Sequence, residues 1–198
     1  MIRIYKETKE RLMPYSDNES MEKALYMVDK NCKVKYTDDI KRKIFPMWIN
    51  GIITQLTSIP EDIRIEKWIY GNFPEIKEMQ KSALESQSKE IGDAISPKIK
   101  QMTPEFVYAG SGVINYYFLK SLEDIIKTDT LGEMEKASFY QLAVKLIGEI
   151  REKMEAEDSL ANSIAISKFL ADKLGFGRWF KWKDFEDIPE GYEEEIYY

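Results

Sequence analysis

Basic and aromatic side chains alternate through Arg178-Trp179-Phe180-Lys181-Trp182-Lys183, directly after Gly175-Phe176-Gly177. In such a pattern the rings stack on bases, each stack contributing roughly 1–3 kcal/mol, while the interleaved cations neutralise phosphate. Arg178, Trp179, Lys181, Trp182 and Lys183 are therefore the candidate contacts to single-stranded nucleic acid. A structural account competes with this one: Gly175 caps the preceding helix, Phe176 packs back on its last turn, and the tryptophans cover the core.

The next 15 residues reverse the charge. Asp184, Glu186, Asp187, Glu190, Glu193, Glu194 and Glu195 are seven acids with no base among them, and they account for more than the whole net charge of −6. Phe185, Ile188, Ile196, Tyr197 and Tyr198 are interleaved with them. A segment of this kind can dock on a protein partner that has a basic or hydrophobic groove. Phe185, Glu193, Glu194, Glu195, Ile196, Tyr197 and Tyr198 are the candidate partner-binding residues. It can also fold back and compete with nucleic acid for the chain's own basic surface, or serve only to solubilise. Over these 15 residues it resembles the acidic, aromatic-ended tails of bacterial and phage single-strand-binding proteins, which implies a docking or self-competing tail. The helical body departs from their barrel fold.

Most catalytic chemistry lacks its residues. The 198-residue chain has no histidine and one cysteine, Cys32, so imidazole-based triads, most transition-metal sites and an intramolecular disulfide are excluded. Gly110-Ser111-Gly112 is followed by Val113-Ile114 rather than the Lys and Ser/Thr of a phosphate-binding loop. Small residues that let two helices approach, or a turn between two strands, are the structural readings of that triplet. Ser86-x-x-Lys89 and Ser20-x-x-Lys23 match a serine acyl-enzyme spacing, yet neither has the companion motifs. Carboxylates are abundant, with Glu152, Glu155, Glu157 and Asp158 clustered near a helix end, but a magnesium site needs acids converging from separate elements. No catalytic residue, metal or cofactor is assigned.

These segments must be positioned by helices. Ser16 to Glu19 has capping-box spacing for a helix reaching about Asn31, with Met21, Leu25 and Val28 on one stripe. Thr37-Asp38 opens a second helix that Pro46 must kink or break, and the apolar run 46–53 should be deep core. Pro60 is placed to begin another helix that Gly71 stops. Asn72-Phe73-Pro74 reopens one through Ile76, Met79 and Leu84, and Ser96-Pro97 ends or kinks it. Thr103-Pro104-Glu105 starts the next. Thr130 to about Glu155, with Phe139, Leu142, Leu146, Ile150 and Met154 in register, and Asp158 to Leu174 read as an antiparallel hairpin. With the preceding helix they make a three-helix unit. Short strands at residues 3–5 and 178–183 would give a small ribbon near the termini.

The expected fold is all-α: one domain of about seven helices over residues 1–183, with an acidic aromatic tail at 184–198. No stretch has the roughly 18 uninterrupted apolar residues of a membrane helix, and the N-terminal run has no signal-peptide core, so a soluble, cytoplasmic protein without membrane contact is expected. The leading expectation is a non-enzymatic adaptor, accessory subunit or inhibitor acting through acidic and aromatic surfaces. An accessory single-stranded nucleic-acid-binding protein comes second and a carboxylate- and metal-dependent enzyme third. The composition would suit a viral or mobile-element protein.

Overall fold

The computed structural model describes residues 3–4, 11–153 and 159–188. Among them, strands β1 (Arg3–Ile4), β2 (Arg11–Tyr15) and β3 (Lys181–Asp184) frame eight α-helices. The helices are α1 (Asn18–Asn31), α2 (Asp38–Asn72), α3 (Lys77–Ala94), α4 (Pro97–Met102), α5 (Glu105–Ser121), α6 (Asp129–Met134), α7 (Tyr140–Lys153) and α8 (Leu160–Leu174). The all-α class holds, and no helix among the described residues is long and apolar enough to cross a membrane.

The central pair is α2 against α5. Phe45, Ile49, Ile52, Leu56, Ile59 and Ile63 keep helical spacing through both prolines and are all buried. This unbroken stripe is why α2 runs 35 residues without stopping at Pro46 or restarting at Pro60, contrary to the sequence expectation. Each proline removes one backbone donor, and the burial of the stripe outweighs that loss. The helix ends at Asn72, one residue past Gly71. Helix α5 is enclosed on nearly every side from Val107 to Leu119. Gly110 and Gly112 explain how its neighbours come so close: a β-carbon on Gly110 would lie 2.6 Å from Cζ of Phe176, and one on Gly112 the same distance from Cζ of Phe139. The close-approach reading of the triplet is therefore the correct one, and the turn between strands is not.

Three further expectations need correction. The helix foreseen from Thr130 to Glu155 is two helices, with Thr128 as the cap of α6 and a turn that carries Phe139 into the core before α7 begins. Leu142 points outward at 39% exposure. The hairpin is also absent, because α7 packs on α5 whereas α8 lies mainly along α2. Met154, Glu155, Glu157 and Asp158 fall outside the described residues.

The sheet has the order β1-β2-β3, antiparallel throughout. Its central strand, β2, was not expected from the sequence, and Pro14 is an unfavourable residue for a strand interior. Among the described residues β1 pairs with Arg11 and Leu12, and Pro14 stands opposite Trp182 of β3. The strand at the other end is shorter than foreseen: it begins at Lys181, and residues 178–180 belong to the approach to it.

Asp17, not Ser16, caps α1, accepting from the Ser20 N–H at 2.8 Å, and it also accepts from Lys181 Nζ at 3.0 Å. The Ser20 bond first, and Lys181 second, hold this carboxyl well below the usual carboxylate range. Asp17→Ala should cost about 0.5–2 kcal/mol at neutral pH, chiefly through the lost cap. The depressed folded pKa makes that contribution complete above the unfolded value near 4 and progressively lost as the pH falls through the lower folded one. Denaturant melts of the two proteins should therefore converge below about pH 4. A gap that stays constant into strong acid would remove the carboxylate from the cap.

Candidate binding groove

The basic and aromatic segment is built into the fold. Gly175 takes the left-handed conformation (φ 84°), its N–H bonds Asp172 O at 3.3 Å, and the Phe176 N–H bonds Ala171 O at 2.7 Å. This paired arrangement ends α8 and turns Phe176 back onto it. Phe176 and Trp179 are fully buried with ring centroids 4.6 Å apart, and Phe106 packs on both at 5.9 and 6.0 Å. Ser16 Oγ donates to Trp179 O at 2.7 Å, which ties the segment to the start of α1.

Trp179 consequently offers no face for stacking. Strand alternation then places Lys181 and Lys183 on one side of β3 and Trp182 on the other. Lys181 pairs with Asp17, Lys183 lies over the Tyr15 ring at 4.6 Å, and Trp182 is half-buried against Phe180. Arg178 is exposed. The five residues do not form one strip. Of the acidic segment, Asp184 closes β3 and Phe185–Asp187 form a single 3₁₀ turn in which the Glu186 N–H bonds Asp184 Oδ1. Glu193, Glu194, Glu195, Ile196, Tyr197 and Tyr198 lie outside the described residues, as does the Phe185 side chain.

The other sequence candidates are dispersed. Ser86 and Lys89 are both exposed, and Lys23 pairs with Glu19 rather than meeting the buried Ser20. Half-buried Cys32 sits beside the end of α1 with its sulfur 3.5 Å from Val34 O. Among the described residues no three acids or cysteines converge to hold a metal ion. Burial pushes the Tyr116 phenol up to about 12, outside the range useful for proton transfer near neutrality.

A cavity of about 230 Å³ opens where α2, α4 and α5 meet. Met47, Gly51 and Gln55 follow at intervals of four on α2 and share a face, joined by Trp48 and Ile52. Val107, Tyr108 and Ser111 of α5 form the opposite wall, and Ile95, Ile99 and Thr103 close the third side. Two tyrosines set this spacing. Tyr108 Oη donates to Ile95 O at 2.9 Å, and Tyr36 Oη donates to Met102 O at 2.8 Å with its ring edge-on to Trp48.

Met47 is 61% exposed at the mouth, and Ile99 and Met102 are also exposed. Lys100 holds its ammonium 5.7 Å from the Tyr108 ring and 3.3 Å from Ser138 Oγ. Lys43, one turn before Met47 on the same face, is exposed, as is Lys98 beside Ile99. Asp93 and Glu105 are the acids on the neighbouring turns, and Glu105 Oε1 accepts from Ser138 Oγ at 3.2 Å.

Comparison of the chain with family models, curated proteins and solved structures gives no match. The run 46–53, expected as deep core, buries only Ile49 and Ile52 and leaves Met47, Asn50 and Gly51 exposed, which is why the groove was not foreseen there. The signal was present in the spacing: Met47 and Gly51 fall off the Phe45, Ile49, Ile52, Leu56 stripe and onto an adjacent face.

Proposed function

We propose that the protein is a non-enzymatic binding module, an adaptor, accessory subunit or inhibitor, that takes an apolar side chain of an acidic protein segment into the groove between α2, α4 and α5. The observation that supports this reading is an apolar recess with solvent-exposed Met47 and Ile99 in its lining and Lys43 and Lys100 beside it. Methionine and aliphatic lips adapt to an incoming side chain, the recess desolvates it, and flanking cations complement acidic neighbours. At about 230 Å³ the cavity is below the usual 300–1,000 Å³ of sites for drug-sized molecules and fits a side-chain anchor better. The acidic segment after Asp184 is a second contact element in this reading. Enclosure of Trp179 leaves the nucleic-acid alternative without its main stacking ring.

A direct test uses an acidic pentapeptide with a central phenylalanine, and its alanine counterpart, titrated into the full chain by calorimetry at low and physiological salt. The phenylalanine peptide should bind at least about tenfold more tightly, and salt should weaken both. Gly51→Leu should suppress the difference while leaving stability unchanged or raised by about 0.5–1 kcal/mol, since glycine is a poor helix former and nothing lies within 4 Å of its missing β-carbon. Unaltered peptide binding by a folded Gly51→Leu protein would place the contact elsewhere.

A further inference from the structure

The cavity between α2, α4 and α5 borders a basic stretch of the chain. Residues 29–43 carry six bases against three acids, Asp29, Asp38 and Asp39. Tyr36 ties that stretch to the groove, with its ring edge-on to Trp48 and its hydroxyl donating to Met102 O at 2.8 Å. Lys43 stands one turn before Met47 on the lining face, and Lys98 and Lys100 flank Ile99. Asp29 is already matched by Lys41 at 2.6 Å, whereas the exposed Lys33, Lys35, Lys43 and Lys98 form no ion pair with a described residue.

The chain itself holds a segment of complementary composition. From Pro189 to Tyr198 there are four acids and no base, and Glu193-Glu194-Glu195 runs directly into Ile196-Tyr197-Tyr198. The described part of the chain reaches Ile188, after Trp179 has packed on Phe106, the residue before Val107 of the groove wall. Ten extended residues span about 33 Å, roughly twice the radius of gyration of about 16 Å for a domain of this length. The segment therefore has the reach to come back over α5.

On the footing of the groove reading above, we infer that the resident occupant of the groove is the chain's own segment 189–198, with Ile196, Tyr197 and Tyr198 supplying the apolar anchor and Glu193, Glu194 and Glu195 meeting the lysines. Held in the same molecule, the segment acts at an effective concentration on the order of millimolar. A contact as weak as about 0.1 mM then makes an outside ligand bind about tenfold more weakly. The segment is a built-in competitor. A partner that enters the groove displaces it and frees its acids and aromatics for a second contact.

The probe is a synthetic peptide of residues 189–198, titrated into the ¹⁵N-labelled full chain and followed on the amides of Gly51 and Ile99. Replacing Ile196, Tyr197 and Tyr198 together by serine removes the anchor and leaves every charge in place, and this variant should bind the peptide about tenfold more tightly than the wild type. Without peptide, the two amide signals should already differ between the proteins, by an amount independent of protein concentration. Gly51→Leu should abolish peptide binding by the triple-serine variant, and Lys43→Gln with Lys98→Gln should weaken it and its salt dependence. Equal affinity of wild type and variant, or no binding by either, would overturn the inference. A signal difference that grows with protein concentration would give the groove to a second copy and overturn it equally. Each of these leaves the groove reading standing if the phenylalanine pentapeptide still responds to Gly51→Leu, whereas binding of both peptides indifferent to that change would overturn the groove reading beneath it.

Discussion

Trp179→Ala is expected to lower the free energy of unfolding by about 3–5 kcal/mol, the range for removing a large buried ring. The indole is fully enclosed and packs on Phe106 and Phe176, so the cavity left behind cannot fill without moving α5 and the segment between α8 and β3 together. Arg178→Ala, one residue away but exposed, should change stability by less than about 0.5 kcal/mol. Urea melts of the three proteins at neutral pH measure the contrast. A Trp179→Ala protein within 1 kcal/mol of wild type would mean that the ring is accessible, and would return the segment to the status of a ligand-binding strip.

The second large effect concerns the fit of α7 to α5. Phe139 is buried at 1% exposure and occupies the space that a side chain at position 112 would need. Phe139→Ala should cost about 3–5 kcal/mol by leaving a void. Gly112→Met should cost at least about 1–3 kcal/mol by overfilling the same place. Because the two changes act on one volume with opposite sign, the double variant should be more stable than the sum of the single losses predicts, by at least about 1 kcal/mol. Strict additivity in chemical denaturation would show that the ring does not occupy the glycine's side-chain space.

The helices were readable in the sequence wherever the signal was local. The start at Thr37-Asp38, the Pro104 opening and the Gly175 stop all depend on residues within one turn of the boundary, and each stands where it was expected. What local pattern could not decide was competition between a breaker and a buried face. Pro46 and Pro60 lost to the stripe through Ile49, Ile52 and Leu56, because the benefit of packing that stripe against α5 is not written in the prolines' own neighbourhood. The pairing of β2 with β3 was equally hidden, since register across the whole chain leaves no periodic trace in either strand alone.

Among the candidate site residues, the alternation at 178–183 was legible, but its meaning was not. A basic and aromatic alternation describes a strand with one face on the core as well as a strip exposed to a ligand, and the difference lies in Phe106 and Ser16, far away in the sequence. The groove depends on a third helix, α4, whose six residues carry little periodic signal but whose Ile99 closes the recess.

The small sheet also bears on the order in which the molecule assembles. The β2–β3 ladder joins the two ends of the chain, and the Ser16 bond to Trp179 beside it spans 163 positions, whereas each helix closes on neighbours three or four residues away. Forming the ribbon first would mean closing a loop of nearly the entire chain against its entropy, and only a helical body already in place makes the encounter short. The β2–β3 ladder is therefore expected to form late, after the helical body. Its strength governs how slowly the native molecule comes apart while leaving the rate of its formation to the helices.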